Sequence, residues 1–401
     1  MRNHLLWSVY VPALLLSFGT GMLVPVLPLY VRSFEASYAL VGLVLAAHGI
    51  GTLVGDVPSG VILGKFGHKW AMVVGVGTVG FFVLAMSWAR TVPELFVYGL
   101  CAGVGSALWN ISRHAYMTTH IPLKHRGRAT ATFGGIGRIG SFAGPAVGAS
   151  LGAVYGLRFP FVAFAVIALA AMVTAGVFVE HTGEVAPHRG GLAGHGRHLV
   201  AVVREHFRVL MTAGIGQLLA QMVRAGRQSI IPLYAADVLG LGLPAIGWIV
   251  TIAAFVDMAL FYPAGVVMDR YGRKWAIVPS FFIQGIGMAL VAFATGFGGL
   301  LAATMVIGFG NGLGSGTMLT LGSDLAPKES MGEFLGVWRL VGDSGNTGAP
   351  IVVGAVADVL GLSLATLVMA AVGLGAAGVF AWYVPETRRL PVATAPLRAG
   401  D

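Results

Sequence analysis

The chain carries the stretch Pro58-Ser59-Gly60-Val61-Ile62-Leu63-Gly64-Lys65-Phe66-Gly67-His68-Lys69-Trp70-Ala71 and, half a chain later, Pro263-Ala264-Gly265-Val266-Val267-Met268-Asp269-Arg270-Tyr271-Gly272-Arg273-Lys274-Trp275-Ala276. Each copy consists of the end of an apolar helix, a short basic turn and the start of another apolar helix. A repeat at half the chain length predicts two related halves. Many membrane transporters are built from two such repeats, with the substrate site between them.

The composition is that of a membrane protein. Of the 401 residues, 56% are hydrophobic and 10% are charged, whereas soluble domains carry about 25% charged residues. The formal net charge of +9 is spread over short loops, which argues against a nucleic-acid partner. The single cysteine, Cys101, excludes an internal disulfide and a cysteine-cluster metal site. The histidines between residues 180 and 208 lack the spacing and carboxylate support of a metal site, so no metal is predicted.

Apolar stretches of about 20 residues, the length that crosses a bilayer, occur twelve times. They lie near 5–31, 38–64, 70–89, 94–118, 129–155, 159–180, 209–236, 243–268, 274–296, 298–323, 331–357 and 362–384. We therefore predict an all-α membrane protein with 12 transmembrane helices in two pseudo-symmetric six-helix bundles. The bundles are expected at 1–180 and 209–384, with a cytoplasmic linker at 181–208 and a cytoplasmic tail at 385–401.

The lysines indicate the orientation of the spans. All of them fall on one side of the twelve-span arrangement: Lys65, Lys69, Lys124, Lys274 and Lys328. Because loops rich in Lys and Arg stay in the cytoplasm, both termini are expected there. We expect a monomeric, multi-pass protein of the cytoplasmic (inner) membrane, with the lipid bilayer around it.

The two halves match beyond the basic turns, since Pro28-Leu29-Tyr30 corresponds to Pro232-Leu233-Tyr234. With these matches, the chain resembles the major facilitator superfamily over essentially its whole length. Its basic turns are similar to that family's loop motif, Gly-x-x-x-Asp-Arg-x-Gly-Arg-Lys. The second turn fits fully, but the first has Gly64 where the motif has an acid and His68 where it has an arginine. Asp56, two helical turns earlier, is our candidate replacement for that acid.

A second motif suggests a branch of the family. Span 5 is similar to the Gly-x-x-x-Gly-Pro-x-x-Gly motif of the antiporter, or drug-efflux, branch, through Gly140, Gly144, Pro145 and Gly148. The alternative is a general glycine-rich face on which another helix packs. The arginine that the family usually carries in span 4, one turn before a glycine, is missing, because Gly99 precedes Gly103 here. The nearest candidate is Arg113.

Charged residues inside spans are candidates for function, because each costs at least roughly 2.5–3.5 kcal/mol. They are Asp56, Asp257, Asp343, Arg113, Arg138, Arg224, Arg227 and Arg339. In the resembled fold, spans 2 and 11 face each other, as do spans 5 and 8. We therefore hypothesise that the pairs Asp56–Arg339 and Arg138–Asp257 close a cytoplasmic gate. The alternative is an ion pair within one half, such as Asp56–Arg113.

The buried acids are also candidates for proton coupling, because burial favours the neutral carboxyl. Asp257 and Asp343 are the main candidates and Asp56 is a third. Arg339 lies one helical turn from Asp343, which favours the ionised form of that acid.

Span 7 has a polar face. Gln217, Gln221, Arg224 and Gln228 follow one another at spacings of four, three and four residues and share one side of a helix. Because helices 1, 4, 7 and 10 line the cavity of the resembled fold, the resemblance puts this face in the substrate path. Arg227 lies beside the face, and Asn311 of span 10 is a further candidate. The alternative is hydrogen bonding between helices of the two halves. The excess of arginine over aspartate favours an anionic or acceptor-rich substrate.

These features together predict a proton-coupled efflux antiporter that moves small amphipathic molecules by alternating access. The proton gradient supplies the energy and no cofactor is expected. Nothing in the sequence supports an enzyme, and the lack of a phosphate-binding Gly-x-x-x-x-Gly-Lys-[Ser/Thr] loop argues against ATP coupling. The alternatives are a metabolite or organic-anion symporter and a non-transporting membrane sensor or scaffold.

Overall fold

The computed structural model describes residues 5–121, 123–180, 204–328 and 330–387, with backbone only for 123–128, 130 and 131. Most of the predicted linker 181–208, the tail beyond residue 387 and the side chain of Lys124 therefore lie outside the described residues. The described part of the chain is helical and contains no β-strand.

The first half contains six helices. Helix α1 spans Leu6–Arg32, and a continuous helical stretch, Tyr38–Met86, follows it. At Gly67 this stretch turns with φ 73° and ψ 174°, a conformation that glycine adopts without a steric penalty. We therefore treat its two arms, 38–66 and 68–86, as α2 and α3. The remaining helices are α4 (Val92–His120), α5 (Leu123–Tyr155) and α6 (Phe159–Phe178).

The second half also contains six helices, two of them interrupted. Helix α7 (Phe207–Leu233) continues as a π-helical turn, Tyr234–Val238. Helix α8 comprises Leu243–Ala259 and Phe261–Arg270, and α10 comprises Gly296–Leu313 and Thr317–Leu325. The others are α9 (Lys274–Ala292), α11 (Met331–Leu360) and α12 (Leu362–Trp382).

Most of these helices have the length and composition of membrane spans. Among the described residues, eight helical stretches are long and apolar enough to cross a membrane, and one of these, Tyr38–Met86, contains both α2 and α3. Helices α5, α7 and α11 are 33, 27 and 30 residues long, which also suffices to span a bilayer. The predicted all-α membrane architecture with two six-helix halves is confirmed.

The two ends of the bundle differ. We call the end with the repeated basic turns, at Gly67 and Gly272, the motif end. The opposite end, with the loops at 33–37 and 239–242, is the far end. The halves meet mainly where α2 contacts α11 and where α5 contacts α8, which are the two pairs of facing spans that the resemblance implied.

The glycines of span 5 pack within the first half. A Cβ atom on Gly144 would lie 2.5 Å from the carbonyl oxygen of Phe18, and one on Gly148 would collide with Met22, so α5 lies directly against α1. On its other side, Pro145 and its neighbours contact Gly247 of α8. The motif therefore lies where α5 is held between its own half and the other one.

Candidate substrate cavity and interhelical ion pairs

A cavity of about 500 Å³ lies between the two halves. Its walls come mainly from α1, α2 and α4 of the first half, with three residues each from α3, α7 and α11 and one each from α5 and α6. Its polar lining includes Ser17, Thr20, His48, Ser106, Asn110, Arg113, Gln228, Asn346 and Thr347. Helix α10, which the resemblance placed at the cavity, contributes no residue to the lining.

Of the six residues predicted for the substrate path, Gln228 lines this cavity. Gln217, Gln221, Arg224, Arg227 and Asn311 do not. Gln217 is buried against Gly342 of α11, and Arg224 donates to the carbonyl oxygen of Gly314 at 2.8 Å with its guanidinium 5.1 Å from the Phe281 ring. Gln217 and Arg224 therefore contact helices of their own half, which fits neither the predicted substrate path nor the alternative of hydrogen bonds between the two halves.

Asp257 is the centre of an ion-pair network that crosses the two halves. Arg138 Nη1 of α5 lies 2.8 Å from Asp257 Oδ1, and Arg227 Nη2 of α7 lies 3.7 Å from Oδ2. Asn311 Nδ2 of α10 donates to Oδ2 at 2.7 Å. The Asp257 side chain is 13% exposed, so one largely buried carboxylate joins four helices. The Arg138–Asp257 ion pair expected from the sequence is present, and its role in a cytoplasmic gate stays a prediction.

The other expected ion pair is not formed in this structure. Arg339 Nε lies 3.2 Å from Asp343 Oδ2, one turn further along α11. Asp56 Oδ1 is buried and has no hydrogen-bond partner among the described residues. The structure also contains no Asp56–Arg113 ion pair between these described side chains. A pair between Asp56 and Arg339 that forms when the motif end closes stays a prediction.

The far end carries a polar cluster that the sequence reasoning missed. Asp237, in the π-helical turn after α7, accepts from Arg32 Nε at 3.1 Å and from the Tyr38 hydroxyl at 2.8 Å. Asp358 of α11 accepts from the backbone N–H groups of Tyr38 and Ala39 at 2.7 and 3.0 Å. The sequence did contain a signal for this cluster: two acids lie near the ends of spans, on the side of the protein with few basic residues.

This far-end cluster joins the first half to the second. Hydrogen bonds and ion pairs join the halves from Arg138–Asp257 to the far end. The far end is therefore closed.

The two motif turns are held differently. In the second turn, Arg273 Nε lies 2.8 Å from Asp324 Oδ2, and Arg273 Nη1 lies 3.5 Å from Asp269 Oδ1. The backbone N–H groups of Arg273 and Lys274 donate to Glu386 at 2.9 and 3.0 Å. In the first turn, the buried His68 lies beside the ring of Tyr116. The first turn, which lacks the acid and the arginine of the loop motif, therefore has a different local structure from the second turn.

Two six-helix halves around a cavity closed at one end define a secondary-transporter fold. The family model of the Major Facilitator Superfamily matches residues 10–213 and 213–400. The chain therefore belongs to this superfamily of transporters and is a multi-pass membrane protein.

Curated relatives match most of the chain at low identity. An uncharacterised MFS-type transporter of Methanocaldococcus jannaschii is 22% identical over 86% of this chain and 89% of its own length. Multidrug resistance protein 2 of Bacillus subtilis is 24% identical over 73% and 72%. Multidrug resistance protein MdtH of Aeromonas salmonicida is 24% identical over 83% of both chains.

Solved structures share the fold. A POT family transporter in complex with a thioalcohol-conjugated peptide superposes with a TM-score of 0.79 at 11% identity, over 97% of each chain. A D-xylose-proton symporter gives 0.71 at 19% identity, over 95% of this chain and 98% of its own. At these identities the similarity identifies the major facilitator fold, as the sequence predicted.

Proposed function

We propose that this transporter is a proton-coupled antiporter that exports small amphipathic molecules across the cytoplasmic membrane. The observation that carries the proposal is the cavity between the halves, closed at the far end by Asp237 and Asp358. With the lysine-rich motif end and both termini in the cytoplasm, the protein, acting as a monomer, loads from the cytoplasm in this form. Opening of the far end and closing of the motif end then releases the substrate outside.

Proton coupling is assigned to Asp257. Its carboxylate lies within 4 Å of the guanidinium groups of Arg138 and Arg227. In the proposed cycle a proton replaces Arg138 as the partner of this carboxylate once α5 and α8 separate, so that neither state leaves a buried charge uncompensated. Movement of the halves thereby exchanges an ion pair for a proton, which is the link that coupled transport requires. Asp56 and Asp343 remain further candidates.

Export of amphipathic molecules is supported by the relatives named multidrug resistance proteins and by the mixed lining of the cavity. Leu23, Val44 and Val83 are apolar, whereas Asn110 and Gln228 offer hydrogen-bonding groups. A lining of this kind accepts a largely apolar molecule with one polar end.

Proton movement in liposomes tests the proposal. Full-length protein is reconstituted with a pH-sensitive dye inside, and a gradient of 2-naphthalenesulfonate or trimethyl(2-naphthylmethyl)ammonium is imposed. Both probes carry permanent charges and move no proton themselves. An antiporter moves protons against the probe flux, and D257N abolishes this movement.

An organic-anion symporter is the second candidate, favoured by a cavity arginine, Arg113, that has no carboxylate partner among the described residues. It moves protons in the same direction as the probe, so the sign of the dye signal separates the two functions. A sensor or scaffold produces no proton movement and is insensitive to neutralisation of Asp56, Asp257 and Arg339.

A further inference from the structure

The five arginines inside the spans differ in how their charge is balanced. Arg138 and Arg227 share Asp257, and Arg339 pairs with Asp343. Arg224 does not line the cavity, and its guanidinium donates to a backbone carbonyl oxygen of α10. Arg113 is the remaining one, and among the described residues it has no carboxylate partner. It is also the one of the five that lines the cavity.

The surroundings of Arg113 leave part of its guanidinium unused. The residue is 6% exposed, and its Nε is buried without a hydrogen-bond partner among the described residues. Its guanidinium carbon lies 3.9 Å from the centre of the Phe133 ring and 5.8 Å from that of Trp109. Ring faces compensate a desolvated cation only in part, so burying it there still costs free energy.

The polar neighbour of Arg113 is already engaged. Arg113 Nη2 lies 3.2 Å from His114 Nδ1, but the same ring nitrogen lies 2.8 Å from the carbonyl oxygen of Asn110. A nitrogen that donates its proton to a carbonyl oxygen cannot accept one from an arginine. The guanidinium therefore retains free donors at the edge of the cavity.

The rest of this wall extends the polar site along one side of α4. Ser106, Trp109, Asn110 and Arg113 all line the cavity and follow a helical repeat. Ser106 Oγ also lies 2.9 Å from His48 Nε2 of α2. Deeper toward the far end, the lining on α1 and α3 becomes apolar, with Leu27 and Met86. On the side of the first half, the cavity thus has a cationic end and an apolar end, and Gln228 and Ser229 line it from the second half.

We propose that Arg113 binds the acidic head group of an amphipathic organic anion, a carboxylate or sulfonate, whose apolar body fills the deeper part of the cavity. Asn110 and Ser106 supply neutral hydrogen bonds beside the head group. This inference rests on the proposed transport function only in treating the cavity as the substrate path, and it concerns binding, not the direction of proton movement.

Binding of three naphthyl probes to the purified full-length protein tests the inference. The probes are 2-naphthalenesulfonate, 2-naphthalenemethanol and trimethyl(2-naphthylmethyl)ammonium, which share a ring and differ in charge. Equilibrium dialysis should show that the wild type binds the sulfonate most tightly. R113Q should weaken sulfonate binding about 10- to 100-fold, the usual effect of losing a charged hydrogen bond, and leave the alcohol unchanged. R113K should restore part of the affinity.

The control is R158Q, which removes the same charge from an exposed loop at the far end and should change no affinity. Equal loss of all three probes in R113Q would mean that Arg113 only supports the cavity, and the inference would be wrong. The inference would also be wrong if the wild type showed no preference for the sulfonate. Absence of binding by all three probes would count as such a result. The dialysis experiment uses no proton gradient. Its result can therefore be interpreted even if the liposome experiment contradicts the antiport proposal.

Discussion

Asp257 balances more charge than any other acid described inside the spans, because two guanidinium groups lie within 4 Å of it. We expect D257N to retain probe binding in detergent and to lose proton-driven transport in liposomes. Because breaking a buried ion pair costs about 3–5 kcal/mol, the free energy of unfolding should also fall by an amount at or below this range. Probe binding, dye-monitored transport and thermal unfolding measure the three effects.

The double variant D257N/R138Q is the control for stability. It removes both charges of the inter-half pair and should recover part of the stability lost in D257N, since neighbouring mutations couple. If D257N keeps full proton-driven transport, Asp257 does not carry the coupling proton. Asp56 or Asp343 would then be the proposed proton carrier.

The sequence predicted the Arg138–Asp257 pair because a buried charge in a membrane needs a partner and the resemblance identified the facing helices. It could not predict the direction of the α7 polar face. The spacing of Gln217 and Arg224 shows that they share a side of the helix, but both a cavity and neighbouring helices satisfy polar groups. Arg113 was recognised as a charge inside span 4, and its lack of a carboxylate partner required the three-dimensional arrangement of all the charged side chains.

The start of α2 is capped by an acid from the other half. An α-helix begins with free N–H groups and a partial positive charge, and Asp358 accepts from two of these groups, on Tyr38 and Ala39. Asparagine keeps one acceptor oxygen, so D358N loses the charge and one of the two hydrogen bonds. At about 1–2 kcal/mol for such a loss, the variant should shift the population toward an open far end by about 5- to 30-fold. Distances between spin labels on the far-end loops of the two halves measure this shift.

Glu94 provides a matched control for Asp358. It also accepts from a free backbone N–H at the far end, that of Arg90 at 2.9 Å, but both residues belong to the first half. E94Q should therefore leave the distance between the halves unchanged. An equal response of the two variants would show that Asp358 merely stabilises a helix and does not hold the far end closed.

The hydrophobicity pattern of the sequence did not predict the breaks within helices. Hydrophobicity predicted one span at 243–268 and another at 298–323, but the structure interrupts α8 after Ala259 and α10 at Gly314–Gly316. A break leaves the apolar composition of a span unchanged, so a count of apolar residues does not report it. At the α10 break, the Gly314 carbonyl oxygen accepts from Thr317 and from Arg224, and the contact with Arg224 is a tertiary one.

Alternating access links the two ends of the whole molecule. The halves touch from Arg138–Asp257 to the far end, so rotation about the α5–α8 contact that opens the far end brings the motif ends of α2 and α11 together. In that form Asp56 and Arg339 are expected to meet. The repeat in the sequence predicted two such halves, but one sequence has no means of indicating which end is closed at rest.

Cross-linking between positions 56 and 339 tests this linkage. In a background without Cys101, the D56C/R339C variant is treated with a short bismaleimide, and a protease site in the 181–208 segment lets a gel resolve joined halves from separate ones. Cross-linking should be slow in this variant and should accelerate about 5- to 30-fold when D358N is added, because the rate follows the population of the form with an open far end. Adding E94Q should not accelerate it. An unchanged rate in the D358N background, combined with wider far-end distances, would mean that the two ends open independently, which alternating access forbids.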